Sequence, residues 1–144
     1  MINLRDITME NFEKCLDLEL TAEQKNFVAS NMYSLAEAKA DGVSVPYGIY
    51  NDEEMVGFIM YDYNPENSTA YVTRLMIDYH FQGKGFARKA MNLVLNEIKE
   101  IDECKLIHIS YSPKNEVARK LYQSLGFEIT GEMSYGEEVA EMKL

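Results

Sequence analysis

The residues with the clearest chemical potential lie between Gln82 and Lys89, where the sequence reads QGKGFARK. Gly83 and Gly85 permit a tight turn at the start of a helical apolar pattern. Such a turn leaves the first helical N–H groups unpaired, with the positive end of the helix dipole behind them. The segment also carries basic side chains, on Lys84, Arg88 and Lys89. We therefore predict an anion site suited to phosphate, while a flexible loop with solvated lysines fits the same residues equally well.

Two better known glycine motifs do not fit this segment. A Walker loop needs Gly-x-x-x-x-Gly-Lys-Ser/Thr, and Lys84-Gly85-Phe86 does not supply it. A dinucleotide-binding fingerprint needs a third small residue after Gly83 and Gly85, and Arg88 stands at that position. Both nucleotide-binding motifs are therefore excluded.

The elements around this segment predict a strand, a helix and a second strand. The upstream strand runs from Tyr71 to Asp78, and the sequence KLIHISY predicts a largely buried strand downstream. Between them, apolar residues recur every three or four positions, as on one face of an amphipathic helix: Ala87, Ala90, Met91, Val94 and Ile98. We expect this unit to form a right-handed crossover.

A second helix is predicted after Pro113 and Asn115, with Val117, Leu121 and Leu125 on its apolar face and Gly126 as its C-cap. The remaining sequence predicts a pair of strands around Tyr135-Gly136-Glu137.

The N-terminal half predicts a strand from Ile2 to Ile7 and then helices. Thr8 is a plausible N-cap for a helix that carries Phe12 and Leu16, and two S/T-x-x-E/Q capping boxes follow, at Thr21 and Ser34. A β-hairpin is predicted next, with its turn at 51–54. The whole pattern is that of a mixed α/β (α+β) chain, which we interpret as one domain over residues 1–144 because this length suits a single core.

Composition limits the partners of this domain. The chain has 14 Lys and Arg against 24 Asp and Glu, a net charge of -10, which disfavours nucleic acid and acidic membranes and favours cationic small molecules. The same charge also serves plain solubility. No signal peptide or apolar run of about 18 residues is evident, so we expect a cytoplasmic protein. Cys15 and Cys104 have no disulfide or metal spacing, and His80 and His108 have no metal-ligand companions, so no metal site is predicted.

Three motifs occur in the order that is typical of one enzyme family. Gln82-Gly83-Lys84-Gly85-Phe86-Ala87 resembles the Q/R-x-x-G-x-G/A signature of the GCN5-related N-acetyltransferase (GNAT) superfamily. The strand RLMID precedes it, and NEVARKLYQSLGF follows it with Asn115 and Tyr122 in the expected order. The N-terminal sequence LDLELTAEQKNFVASNMYSLAEA is similar to the bacterial spermine/spermidine (diamine) branch. The resemblance implies a single-domain GNAT fold, with a mixed, mostly antiparallel sheet of about seven strands flanked by helices.

The resemblance also implies an acetyl-CoA-dependent transfer of an acetyl group to a primary amine, most simply that of a polyamine. The pyrophosphate of acetyl-CoA would lie on the amides from Gly83 to Arg88. The backbone of one strand would bind the pantetheine arm and the thioester, Asn115 would bind the pantetheine, and Tyr122 would protonate the departing thiolate. The implied cofactor-binding residues are Leu75, Met76, Ile77, Gln82, Gly83, Lys84, Gly85, Phe86, Ala87, Arg88 and Asn115. Without the resemblance, Tyr122 would be interpreted as a packed aromatic residue and Asn115 as a helix cap.

The acceptor amine restricts where acidic residues can act. An alkylamine with a pKa of about 10.4 is neutral only about 0.1% of the time near pH 7.4, which costs about 4 kcal/mol before attack. Carboxylates should therefore bind distal ammonium groups, and Asp17, Glu19 and Glu23 are the candidates, although such charges commonly form only a solvated helix face. Asp62 and Asp78 are also candidates to line the cleft, and no general base is assigned.

Two alternatives to this function remain open. The acceptor is either a small amine or a peptide or protein amine, since both kinds of cation suit an acidic surface. A non-catalytic acyl-CoA-binding domain is disfavoured by the presence of Tyr122. The family resemblance also implies a homodimer.

Overall fold

The computed structural model describes residues 1–144 as one seven-stranded sheet with helices on both faces. The strand order is β1-β2-β3-β4-β5-β7-β6, and only β4 and β5 are parallel. The predicted mixed, mostly antiparallel sheet is thereby confirmed. The strands are β1 Ile2–Asp6, β2 Val45–Asn51, β3 Glu54–Asn64, β4 Thr69–Ile77, β5 Leu106–Tyr111, β6 Glu128–Ser134 and β7 Glu137–Lys143.

Four α-helices divide between the two faces of this sheet. They are α1 Phe12–Asp17, α2 Asn31–Asp41, α3 Phe86–Lys99 and α4 Glu116–Ser124, and 3₁₀ turns lie at Gln24–Asn26 and Tyr79–Phe81. Residues of α1 and α2 pack on β2, β3 and β4, whereas α3 and α4 share the larger core on the opposite face. None of the helices has the length and apolar content that a bilayer crossing needs.

The β4-α3-β5 unit follows the sequence pattern closely. The predicted stripe of α3 is buried at Ala90, Met91, Val94 and Ile98, as its three- and four-residue spacing requires. The strand β5 differs from its prediction, because it alternates instead of being buried throughout: Ile107, Ile109 and Tyr111 are buried, but the residues between them are not. The reason is that α1 and α2 cover only β2 to β4, which leaves one face of β5 without a helix.

The N-terminal helices start later or elsewhere than predicted. Thr8 is not the N-cap of α1, which begins at Phe12 after a turn in which the Thr8 carbonyl accepts from the amides of Asn11 and Phe12. The capping box at Thr21 does form, since Thr21 and Gln24 exchange backbone-to-side-chain hydrogen bonds of 3.3 Å in both directions. It nevertheless begins only one 3₁₀ turn.

The predicted capping box at Ser34 is wrong. Ser30 is the N-cap of α2 and accepts from the amide of Tyr33 at 3.1 Å. Ser34 lies inside the helix, where its hydroxyl donates to the Ser30 carbonyl and accepts from Arg74 of β4. A contact with a distant strand thus decides the role of this serine.

The helix α4 is rotated relative to its predicted apolar face. Val117 is 81% exposed, whereas Leu121 and Tyr122 pack against the core. The C-cap of α4 is Leu125 and not Gly126 as predicted; Gly126 follows it with φ +105°, a value that favours glycine.

Candidate active site

The cleft of the molecule opens where two parallel strands separate. Residues 69–72 of β4 pair with residues 106–109 of β5, and the pairing ends at Val72 and Ile109. Beyond this point β4 continues to Ile77, while Ser110 and Tyr111 of β5 pair only with β7. The edge of β4 that faces β5 is therefore free from Thr73 onward.

A β-bulge accompanies this separation. Val72 lies opposite Tyr61 but Arg74 lies opposite Met60, so Thr73 is an extra residue in β4. The Thr73 hydroxyl donates to the Met60 carbonyl at 3.3 Å, and the Arg74 guanidinium donates to the Thr73 carbonyl at 2.9 Å. A bulge of this kind bends a strand and increases its twist, which here turns the end of β4 away from β5.

The backbone of Leu75 faces the open side of β4. The amide of Asp78 donates to the carbonyl of Val56 across β3 at 2.8 Å. Because backbone groups alternate sides along an antiparallel strand, the amides of Met76 and Asp78 face β3, whereas those of Leu75 and Ile77 face the gap. The Ile77 carbonyl already accepts from the Gln82 side chain at 2.8 Å. Of the three predicted backbone donors, Leu75 and Ile77 thus direct their N–H groups toward the gap, whereas the N–H of Met76 faces β3.

The glycine loop has the geometry of an anion site. Gly83 and Gly85 adopt φ +80° and +81°, and no side chain caps the start of α3. None of the amides from Gly83 to Arg88 donates to another group of the chain. These N–H groups, with the N-terminal end of the 14-residue helix α3 behind them, are suited to an anion.

The basic residues of this segment lie in different places. Arg88 lines the cleft, but Lys84 and Lys89 are exposed and do not. The Lys84 ammonium group lies 6.0 Å from the centre of the Phe81 ring. Lys114 and Lys120, beside and within α4, do line the cleft. Lys114 and Lys120 lie on either side of Asn115 in the sequence SPKNEVARK. Basic residues in this position were a signal of anion binding that the sequence-based prediction did not use.

Asn115 is the N-cap of α4. Its Oδ1 accepts from the amide of Ala118 at 3.1 Å, so the interpretation as a helix cap is confirmed. The residue also lines the cleft, and its Nδ2 group makes no hydrogen bond within the chain. One residue thus offers a structural acceptor and a free donor, and its contact with pantetheine stays a prediction.

Tyr122 is buried in an aromatic cluster at the edge of the cleft. It is 7% exposed, and its ring centre lies 5.5 Å from that of Tyr111 and 6.1 Å from that of Phe127. No hydrogen bond joins its hydroxyl to another group of the chain, and the residue lines the cleft. Burial, with a smaller contribution from the negative charge of Glu137, raises the pKa of Tyr122 well above its usual range. Tyr122 is therefore a neutral hydrogen-bond donor at physiological pH.

The predicted acidic residues separate in the structure. Glu23 lines the cleft, whereas Asp17 and Glu19 do not. The backbone of Glu19 instead joins its segment to the end of β4, since its amide donates to Asp78 at 2.8 Å and its carbonyl accepts from Tyr79 at 2.8 Å.

Neither of the two aspartates considered as cleft residues lies in the cleft lining. Burial opposes the ionisation of Asp78, but hydrogen bonds from the Glu19 amide and from His80 outweigh it and lower the pKa of this carboxyl group. Asp78 is thus a saturated acceptor that holds the loop. The pKa of Asp62 is raised by burial and then by the charges of Asp41 and Glu37.

The two histidines contact single carboxylates. His80 Nδ1 lies 2.7 Å from Asp78, and His108 Nε2 lies 3.2 Å from Glu141. No group of three or more His, Cys, Asp or Glu side chains converges as metal ligands do.

The cleft as a whole has a volume of about 1610 Å³, above the roughly 300–1,000 Å³ of most small-ligand pockets. It is lined by the segment between α1 and α2, by β4, by the glycine loop with the start of α3, by the end of β5, by α4 and by the first residue of β7. An extended anionic ligand thus has both the space and the N–H groups that it needs.

Comparison with known proteins agrees with this geometry. A family model described as "Acetyltransferase (GNAT) family" matches residues 3–127. Two Bacillus subtilis proteins, the "Probable spermine N(1)-acetyltransferase" of subspecies natto (strain BEST195) and the "Spermine/spermidine N(1)-acetyltransferase" of strain 168, are each 32% identical over 148 residues, which cover 99% of this chain and 97% of each relative. The crystal structure of spermidine N-acetyltransferase from Vibrio cholerae in complex with CoA and spermine shares the fold, with a TM-score of 0.77, 19% identity and coverage of 99% of this chain and 94% of that one.

The predicted family resemblance is therefore confirmed. Because the family model spans most of the residues and both Bacillus relatives match almost from end to end, the chain belongs to the acetyltransferase (GNAT) family.

Proposed function

We propose that this N-acetyltransferase transfers the acetyl group of acetyl-CoA to a primary amine of a polyamine such as spermidine or spermine. The observation that carries the proposal is the 32% identity, over 99% of the chain, to a Bacillus subtilis protein named as a spermine/spermidine N(1)-acetyltransferase. The net charge of -10 supports it, because an acidic surface attracts a polycation.

Acetyl-CoA supplies the acetyl group as a thioester. The unpaired amides from Gly83 to Arg88 would hold its diphosphate, and the cations of Arg88, Lys114 and Lys120 would offset the phosphate charge. The N–H of Leu75 would donate a hydrogen bond to the carbonyl oxygen of the thioester as negative charge develops on it. These residues fit the group because the donors are unpaired and face one cleft.

Two side chains complete the proposed site. The neutral Tyr122 hydroxyl would donate a hydrogen bond and then a proton to the sulfur that leaves. The free Nδ2 of Asn115 would bind an amide oxygen of the pantetheine arm. The burial of the site around Tyr122 would also favour the neutral form of the attacking amine, since a charged ammonium loses solvating water there.

A thiol-release assay over a panel of amines tests the proposal. With acetyl-CoA, we expect spermidine and spermine to release free CoA much faster than amino acids or peptides of matched concentration. A reaction without amine controls for hydrolysis of the thioester. Faster turnover on peptides than on polyamines would overturn the polyamine assignment while leaving acetyl transfer in place.

The cytoplasmic location and the homodimer stay predictions.

A further inference from the structure

Three carboxylates line the cleft, and they differ in the partners that they already have. Glu116 is paired with Arg119 at 3.1 Å. Glu23 is exposed and its carboxylate has no partner within the chain. Glu137 is half-buried and accepts one hydrogen bond, from the Ser110 hydroxyl at 3.0 Å. Only Glu137 combines partial burial with an unneutralised charge.

Glu137 is held at the point where the two parallel strands separate. It is the first residue of β7, and Ser110 is the first residue of β5 beyond the last pair with β4, Val72 and Ile109. Ser110 pairs with Val139, and Glu137 lies two residues before Val139 on the same face of the sheet. The hydrogen bond from Ser110 therefore ties this carboxylate to the mouth of the gap between β4 and β5.

Glu137 lines the same cleft as Tyr122, the proposed proton donor, but does not bond to it. The negative charge of Glu137 contributes to the raised pKa of Tyr122, yet no hydrogen bond joins the two side chains. A carboxylate that contacted the attacking nitrogen would stabilise its charged form and oppose attack. A carboxylate that lines the cleft without bonding to Tyr122 instead suits a second, non-reacting ammonium group of the same molecule.

The other cleft carboxylates are weaker candidates for this role. The charge of Glu116 is offset by Arg119. An ion pair with the exposed Glu23 would be screened by solvent, and exposed pairs contribute little to binding. Glu137 is shielded in part, and since Ser110 occupies Oε1, its Oε2 is free to accept a charge-assisted hydrogen bond.

We infer that Glu137 binds a distal ammonium group of the acceptor and thereby selects amines that carry more than one positive charge. This inference rests on the polyamine acetylation proposed above, and it moves the main acidic contact from Asp17, Glu19 and Glu23 to β7.

The test compares Glu137→Gln with a matched variant, Glu141→Gln. Glu141 lies four residues further along β7 on the same face, bonds to His108 and does not line the cleft, so both variants remove one negative charge from one strand. Spermidine binding is measured by calorimetry on the CoA-loaded protein, and KM is measured for spermidine and for butylamine, which has one amine only. Thermal melting of each variant controls for folding.

We expect Glu137→Gln to raise both the Kd and the KM for spermidine about tenfold, as the loss of one charge-assisted hydrogen bond at a half-exposed site should. The change in KM for butylamine should be at least several times smaller. Glu141→Gln should stay within about twofold of the unchanged protein for spermidine, because a distant charge on the same strand is screened.

Three results would overturn the inference: a spermidine Kd that Glu137→Gln leaves unaltered, an equal effect of the two variants, or an equal effect on spermidine and butylamine. Absence of spermidine binding to the unchanged protein would also overturn it. In that case turnover of butylamine would show that acetyl transfer itself stands, whereas absence of any thiol release would remove the proposed function.

Discussion

Gly57 of β3 controls the position of the strand that borders the cleft. A Cβ atom added at this glycine would lie 2.4 Å from the carbonyl oxygen of Met76, and 2.8 Å from the Cδ1 atom of Ile77. The 3.0 Å minimum that Cβ atoms keep from non-bonded atoms is 0.6 Å longer than the first contact. Because the obstacle is a backbone atom, a rotamer change cannot relieve it.

The Gly57→Ala variant should therefore push β4 toward the cleft. From Thr73 onward β4 has no partner on that side, so this is the direction in which it is free to move. A misplacement of about 1 Å at a reacting centre can cost about 100-fold in rate. For a shift near 0.6 Å that moves the Leu75 amide, we expect kcat to fall about 10- to 100-fold. Overpacking should also destabilise the fold by about 1–3 kcal/mol.

Gly48→Ala is the matched control in the neighbouring strand. A Cβ atom there would meet only side-chain atoms, Met55 Cε at 3.0 Å and Tyr50 Cε1 at 3.1 Å, which can adjust. Thiol release measured well below the melting temperature of each variant separates catalysis from stability, and urea unfolding measures the latter. A Gly57→Ala protein with wild-type kcat, or a Gly48→Ala protein with an equal loss, would refute the argument that β4 is positioned by close backbone contact.

Two pairs of variants and one pH profile probe the cofactor side of the cleft. Tyr122→Phe removes a proton donor, so we expect kcat to fall about 100-fold while the calorimetric affinity for CoA stays nearly unchanged. The control variant Tyr111→Phe should change kcat by less than about threefold. Equal losses of kcat in the two variants would count against the assignment. Burial raises the pKa of Tyr122, so this donor stays protonated over the pH range in which the amine becomes neutral. We therefore expect kcat/KM for the unchanged protein to rise with pH from 7 to about 10. A fall within that window would contradict the assignment. Gly85→Ala forces a non-glycine residue to φ +81°, and we expect it to weaken CoA binding about tenfold in calorimetry. The control variant Gly131→Ala carries the same backbone strain at φ +85° in β6 and should leave the affinity for CoA intact.

The glycine loop and its neighbours could be predicted from the sequence because their signals are local. Gly83 and Gly85 adopt the positive φ values that glycine favours, and the apolar spacing of α3 produced the buried stripe that was predicted. Asn115 lies at the start of α4 because an Asn side chain can satisfy an amide three residues ahead. The order of these motifs was also sufficient to identify the family. The individual roles of Asn115 and Tyr122 in catalysis remain predictions.

The features that shape the cleft depend on residues that are distant in sequence, and only the tertiary structure decided them. Pairing between strands leaves no periodic trace in the sequence of any one segment. It produces the separation of β4 from β5 at Val72, the extra residue Thr73 and the close approach of Met76 to Gly57. The same holds for Glu137, which resembled an ordinary turn residue until Ser110 of β5 placed it beside the gap. Local chemistry thus specified which groups can hold a coenzyme, whereas the arrangement of the sheet determined which charges face the acceptor, because that depends on which strands lie side by side.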